Sequence, residues 1–215
     1  MEYYLPSCNF RKADPRATER LGRYFLTRKG MSIPDCCRPL QKRLMAGDLF
    51  VSDCQSCFGV TRECSPQAET VSLWEYALKD PNFPWPDYGG ERITVQDCWR
   101  ARNDRPQQEA VRACLRRMNM VPVELEDSFD RADFDGLFLY TPVSGAALKL
   151  APRFFSDAAA HVTPLSEEQA LEKMRDQVKK YATDRAVCYC NACLKGVLAG
   201  GGNGVHLASL MAGRM

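Results

Sequence analysis

The chain has 215 residues, of which 45% are hydrophobic and 26% charged, and its formal net charge is +2. That balance is ordinary for a globular protein with a packed core, and so small a net charge gives no reason to expect nucleic acid or a membrane surface as a partner. No apolar run approaches the ~20 residues of a membrane helix, and the opening Met1-Glu2-Tyr3-Tyr4-Leu5-Pro6 lacks the basic-then-apolar pattern of a signal peptide, so a cytoplasmic location without membrane insertion is expected.

Taken in order, Leu5-Pro6-Ser7 ends a short strand and delivers Cys8. A basic loop runs from Asn9 to Asp14, and Pro15 suits the first turn of an amphipathic helix through Leu26. The apolar segment Gly30-Met31-Ser32-Ile33 precedes the pair Cys36-Cys37. Leu49-Phe50-Val51-Ser52-Asp53 is a strand running into Cys54-Gln55-Ser56-Cys57, where a helix begins. Cys64 follows in a predicted loop, and Thr70 to Leu78 is a closing helical stretch. Three prolines and two glycines between Asp80 and Gly90 mark a linker.

The pattern then recurs. Val95-Gln96-Asp97 leads to Cys98, a basic loop, Pro106 and an amphipathic helix through Leu115. Met120 to Leu125 is the matching apolar segment, and Phe134 to Tyr140 is predicted as a buried strand. Arg185 to Tyr189 is a strand entering Cys190-Asn191-Ala192-Cys193. The glycine-rich stretch Leu198 to Gly204 is a flexible loop, and Gly204 to Met211 closes as a helix. A unit of roughly 90 to 120 residues is thus duplicated. The expected architecture is α/β: two pseudo-symmetric repeats, residues 1–88 and 89–215, each a small parallel β-sheet covered by helices.

The cysteines carry the chemistry. There are 11, an odd number, and most lie near another cysteine. In a reducing compartment such clustering points to metal binding or catalysis rather than to a disulfide framework. In an alternating α/β unit the C-terminal ends of neighbouring strands share one sheet edge. Cys8, Cys36, Cys37, Cys54 and Cys57 each follow such a segment and are expected to converge. Converging thiolates repel one another unless a cation holds them, which implies a soft metal or a cluster. Five sulfurs exceed the four that one zinc ion or a simple cubane takes. In the second half Cys98, Cys188, Cys190 and Cys193 supply four potential metal ligands, although no second Cys-Cys pair occurs. Arg11, Lys12, Arg100 and Arg102 follow the leading cysteines, where cationic side chains lower thiol pKa values or form a solvated loop. Cys114 is expected in a helical core. Only two histidines, His161 and His206, are present, which argues against a Cys–His nucleophile or a histidine-rich zinc site.

A cysteine, a Cys-Cys pair and a CxxC motif, with the leading cysteine and the CxxC repeated in the second half, resemble the cysteine-rich CCG domain family. That family includes the disulfide-cleaving component of heterodisulfide reductase and related iron–sulfur proteins. Phe50 to Cys57 and Val95 to Trp99 look like its landmarks, and the resemblance covers the whole chain. It implies a non-cubane [4Fe–4S] cluster held by Cys8, Cys36, Cys37, Cys54 and Cys57, with Cys98, Cys190 and Cys193 surviving from a second cluster set. The sequence departs from the family where Arg38 replaces the glycine after Cys-Cys, where the Cys37–Cys54 gap is short, and where the second pair is missing near Thr141-Pro142-Val143.

The function expected from these features is thiol or disulfide reduction, or electron transfer, at a cysteine-ligated cluster. An oxidoreductase, or a subunit of one, follows from it. The chain has no ferredoxin-type CxxCxxCxxxCP run, so electrons are expected from an iron–sulfur or flavin partner, with a small thiol or disulfide as possible substrate. The alternatives are a zinc-binding, non-catalytic scaffold or accessory subunit, with a second cluster or zinc in the second half, and a dithiol exchanger using Cys54 and Cys57.

Overall fold

Asp14 and Asp104 start the longest helix of each half by the same device. Each side-chain carboxylate accepts a hydrogen bond from the backbone N–H three residues on, at Ala17 and Gln107, and a proline occupies the first turn. The carboxylate satisfies an amide that the helix leaves free, and proline loses nothing where its missing N–H would be unpaired. The computed structural model describes residues 1–213.

The first half runs β1 (Glu2–Leu5), α1 (Cys8–Ala13), α2 (Pro15–Lys29), α3 (Cys37–Leu40), β2 (Leu49–Ser52), α4 (Gln55–Cys64), β3 (Glu69–Ser72) and α5 (Leu73–Lys79). The second runs β4 (Arg92–Gln96), α6 (Arg105–Arg117), β5 (Val121–Val123), α7 (Gly145–Leu150), α8 (Pro152–His161), α9 (Glu167–Val178), β6 (Ala186–Cys188), α10 (Asn191–Ala199), β7 (Gly204–His206) and α11 (Leu207–Ala212). Short 3₁₀ turns occupy Trp99–Ala101, Phe129–Arg131 and Gly136–Tyr140.

The fold is α/β, with two small parallel sheets flanked by helices. The first has the order β1-β2-β3 and the second β5-β4-β6-β7. The registers bring the strand ends level: Leu5 lies opposite Ser52, and Gln96 opposite Cys188. Ser32 makes an isolated parallel bridge to Tyr3 and so stands beside β1 as β5 stands beside β4. One apolar cluster runs through both halves, from Tyr4, Phe25 and Trp74 to Val95, Leu115, Tyr189 and Leu207. Helix α5 packs on α6, α2 packs on α11, and Trp74 meets Tyr189 edge-on with ring centroids 5.7 Å apart. Each large apolar side chain fully buried here contributes about 1.5–3 kcal/mol. No helix among the described residues is long and apolar enough to cross a membrane.

Several local expectations are corrected. Phe134 to Tyr140 is not a strand, because Gly136 turns the chain at φ +57° and β5 and β6 already take both edges of β4. Its apolar residues pack on α10 instead. Thr70 to Leu78 and Gly204 to Met211 each divide into a strand and a helix. The break in the first is capped by Ser72, whose hydroxyl accepts from the Glu75 N–H, and in the second by His206. The stretches after Cys8 and Cys98 are a helix and a 3₁₀ turn rather than loops. Cys64 is the last residue of α4 and its thiol donates to the Leu150 carbonyl at 3.4 Å.

His206 joins β7 to α11. Its Nδ1 accepts from the Ala208 N–H at 3.2 Å, and its ring lies 4.8 Å from that of Phe10. Burial disfavours the imidazolium and pushes the pKa down to about 4. Between about pH 6.5 and 4 the unfolded chain therefore binds a proton that the folded chain refuses, so stability falls as the pH falls through that window, by about 3 kcal/mol in all. Urea unfolding at pH 7 and pH 4.5 should show a larger acid loss for the natural chain than for His206→Asn. Parallel losses would remove His206 from the account.

Candidate metal centres

The same local geometry sets both cysteine groups. Cys54 and Cys190 each stand at the N-cap of the helix that follows a strand, with nearly equal backbone angles (φ −131°, ψ 122° and φ −135°, ψ 129°), and neither side chain caps its helix. Cys36 and Cys98 take the same extended conformation before α3 and before the 3₁₀ turn at Trp99–Ala101. Thiol sulfurs thus gather beside first-turn N–H groups, the positive end of a helix, where sulfur carrying negative charge is favoured.

In the first half the strand ends that lie level carry Cys8 and Cys54 to one edge of the sheet. The Cys37 thiol exchanges hydrogen bonds with Cys57 and Cys8, Cys57 also bonds Cys54, and Cys36 acts electrostatically on Cys8. The five cysteines are thus linked pair by pair, but no three of them bring their sulfurs within the 4.8 Å that spans the second group. The hydrogen bond from Cys57 is the main reason the Cys37 pKa falls to about 6, and the Arg38 charge adds to it. Giving that bond pushes Cys57 well up, while burial raises Cys8. Leu5, Leu44 and Phe50 form the apolar floor beneath Cys37 and Cys57. Cys8 and Cys36 are exposed and Cys54 is half-buried, so this group opens outward.

The second group is closed. Cys98, Asp135, Cys190 and Cys193 offer ligand atoms all within 4.8 Å of one another, the one such group among the described residues, and none of the four is more than 5% exposed. This buried group can bind a metal ion. The Cys98 and Cys190 thiols donate to Asp135 Oδ1 at 3.4 and 3.6 Å, and Cys193 donates to the Phe134 carbonyl at 3.5 Å. Arg100 Nε donates to the other carboxylate oxygen at 2.6 Å while its guanidinium lies 4.0 Å from the Phe138 ring centre. Burial, reinforced by the Cys190 charge, pushes Asp135 up to about 8, with Arg100 opposing it. Hydrogen bonds from Cys193 and Cys98 hold Cys190 well down, and burial drives those two partners well up.

A buried network fixes Cys98 from behind. Its N–H donates to the Tyr189 hydroxyl, which donates to Asp97 Oδ1 at 2.8 Å. Asp97 in turn takes two bonds from Arg112, at 2.6 and 2.7 Å. The Trp99 N–H donates to the Phe134 carbonyl at 2.8 Å and so ties the Cys98 turn to the segment that carries Asp135.

Of the second-half ligands expected from sequence, Cys98, Cys190 and Cys193 come together. Cys188 lies outside the group, buried in the apolar core on β6. Asp135 fills the fourth place and was missed. Its one signal is a carboxylate and a glycine, Asp135-Gly136, inside an otherwise apolar run. As Cys37 meets Cys8 and Cys57, so Asp135 meets Cys98 and Cys190. Cys114 is a buried core thiol bonded to the Trp74 carbonyl, as expected. The two groups approach across the halves, where Asn191 Nδ2 donates to Ser7 Oγ at 3.0 Å and Gln55 bonds Gln107. A cavity of about 670 Å³ is lined by Arg20, Arg23, Tyr24 and Arg28 and has no cysteine in its wall. Compared with protein-family models, with curated proteins and with solved structures, the chain matches none.

Proposed function

We propose that the chain is an iron–sulfur redox protein that works at its first cysteine group, as the resemblance to the CCG domain of heterodisulfide reductase implies. The observation that carries this reading is the open neighbourhood of Cys8, Cys36, Cys37, Cys54 and Cys57: five thiols, two of them exposed, on an apolar floor at a sheet edge. The donor set fits a cluster. It is all sulfur, it exceeds the four ligands of one zinc ion, and Arg11 and Arg38 bring positive charge to Cys8 and Cys37. An iron–sulfur cluster held there supplies one-electron transfer, with an exposed side on which a thiol or disulfide can react.

The chain's own residues do the rest. Cys37 is the thiol most readily deprotonated and therefore the first expected to bind iron, since the thiolate is the ligand form. Cys57 and Cys37 anchor the buried side, while Cys8 and Cys36 border the face a substrate or partner reaches. The partner would be an iron–sulfur or flavin protein that delivers electrons.

Anaerobic purification followed by iron and acid-labile sulfide analysis and electron paramagnetic resonance tests the proposal. About four irons and four sulfides per chain are expected, lost in Cys36→Ala or Cys37→Ala. A chain free of iron and sulfide after anaerobic reconstitution would overturn it.

A further inference from the structure

We propose that Cys98, Asp135, Cys190 and Cys193 form a closed tetrahedral site for a single zinc ion, with Asp135 rather than Cys188 as the fourth ligand. The inference rests on second-half residues alone and stands whether or not the first group holds a cluster.

Spacing decides between one ion and a cluster. Zinc–sulfur bonds of about 2.3 Å and a zinc–oxygen bond of about 2.0–2.2 Å give tetrahedral sulfur–oxygen edges of about 3.5 Å. The Cys98 and Cys190 sulfurs lie 3.4 and 3.6 Å from Asp135 Oδ1, and every pair of the four atoms is within 4.8 Å. A cubane puts each thiolate on a different iron with sulfides between them, which needs ligand atoms farther apart than the 4.8 Å that spans all four atoms here, a spacing to which no three of the first-half cysteines gather. The second cluster that the family resemblance implies therefore does not fit this donor set.

The surroundings agree. Three thiolates and one carboxylate, all buried with no open position, suit a structural zinc ion rather than a reactive one. Arg100 engages Oδ2 and leaves Oδ1 turned toward the three sulfurs, and its stacking on Phe138 fixes that orientation. This is the partner that a ligating carboxylate ordinarily has behind it. Arg100 also offsets part of the negative charge that zinc leaves uncompensated. Cys98 follows β4, Cys190 and Cys193 stand at the cap and in the first turn of α10, and Asp135 precedes the turn at Gly136–Tyr140, so the ion would pin three separate segments.

The full-length chain, purified anaerobically, is analysed for zinc, iron and sulfide together, and then reconstituted with cobalt(II). One zinc per chain is expected. It should persist in Cys36→Ala/Cys37→Ala and in Cys188→Ser, and disappear in Cys190→Ser. Cobalt in the natural chain should give the intense visible bands of tetrahedral coordination with thiolate charge transfer. Asp135→Cys should shift those bands as a fourth sulfur enters. Arg100→Met should weaken zinc binding about 10–100-fold while leaving the cobalt band pattern in place. The cobalt spectrum of the natural chain needs no variant to fold. Octahedral bands, absence of zinc, an unchanged spectrum in Asp135→Cys, or iron with sulfide retained by Cys36→Ala/Cys37→Ala would each overturn the site. Because iron and zinc are counted in the same sample, failure here is distinct from failure of the first-half cluster.

Discussion

Gly136→Ala is expected to destabilise the fold by about 3–5 kcal/mol, combining the cost of a left-handed backbone with that of a backbone clash. Gly136 has φ +57°, and a Cβ there would lie 2.0 Å from the Ala192 carbonyl oxygen in the first turn of α10. That carbonyl belongs to a hydrogen-bonded helix and cannot turn aside as a side-chain tip would. From the other side, a Cβ on Gly196 would come within 2.6 Å of the Gly136 Cα. The two glycines let the segment carrying Asp135 lie directly on the helix carrying Cys190 and Cys193. A methyl group at either one pushes the carboxylate away from the thiols, so loss of stability and loss of metal at the second group should appear together. Gly201→Ala is the control. Its φ is +82° but nothing lies within 4 Å of its Cβ position, so it carries backbone strain alone, about 1–2 kcal/mol. Chemical denaturation of the three chains measures the difference. Equal losses at Gly136 and Gly201 would show that contact with α10 contributes nothing.

Arg112→Met is the second change with a large expected effect, also about 3–5 kcal/mol. Arg112 is fully buried on α6 and makes a two-pronged pair with Asp97, which is itself buried. Removing the cation leaves Asp97 charged in the interior with only the Tyr189 hydroxyl and the Phe129 N–H to meet it. Glu124, the other partner, is 38% exposed and recovers water, so its loss matters little. The double variant Asp97→Asn/Arg112→Met should regain part of the stability, because breaking a buried pair costs more than replacing both members. If the single variant unfolds at the natural midpoint, the network is not what holds Cys98 in place.

These two positions also show what the sequence alone could and could not provide. The helices that begin at Asp14-Pro15 and at Asp104 with Pro106 were legible because capping is a local hydrogen bond and proline fixes a local angle. The strands that run into Cys54 and Cys190 were legible for the same kind of reason: a short apolar run followed by residues that start a helix. Parallel sheets followed from the alternation, and with them the placing of the strand ends before Cys8 and Cys54 at one edge, since parallel strands end together.

The failures at the second cysteine group were of tertiary origin. The run from Phe134 to Tyr140 has the composition of a buried strand, but both edges of β4 are occupied, and Gly136 instead finds the backbone of α10. Asp135 gave no motif because its partners Cys98, Arg100 and Cys190 lie 37, 35 and 55 residues away along the chain, and only folding joins them. Cys188 and Cys190, two residues apart, share a face in an extended strand, but β6 ends at Cys188 and the chain turns into α10, leaving one thiol in the core and the other in the site. Local sequence determined which elements carry the cysteines. Packing between the elements decided that one cysteine group opens outward with five thiols while the other closes around three thiols and a carboxylate, because exposure and the fourth ligand depend on which distant segment covers each sheet edge.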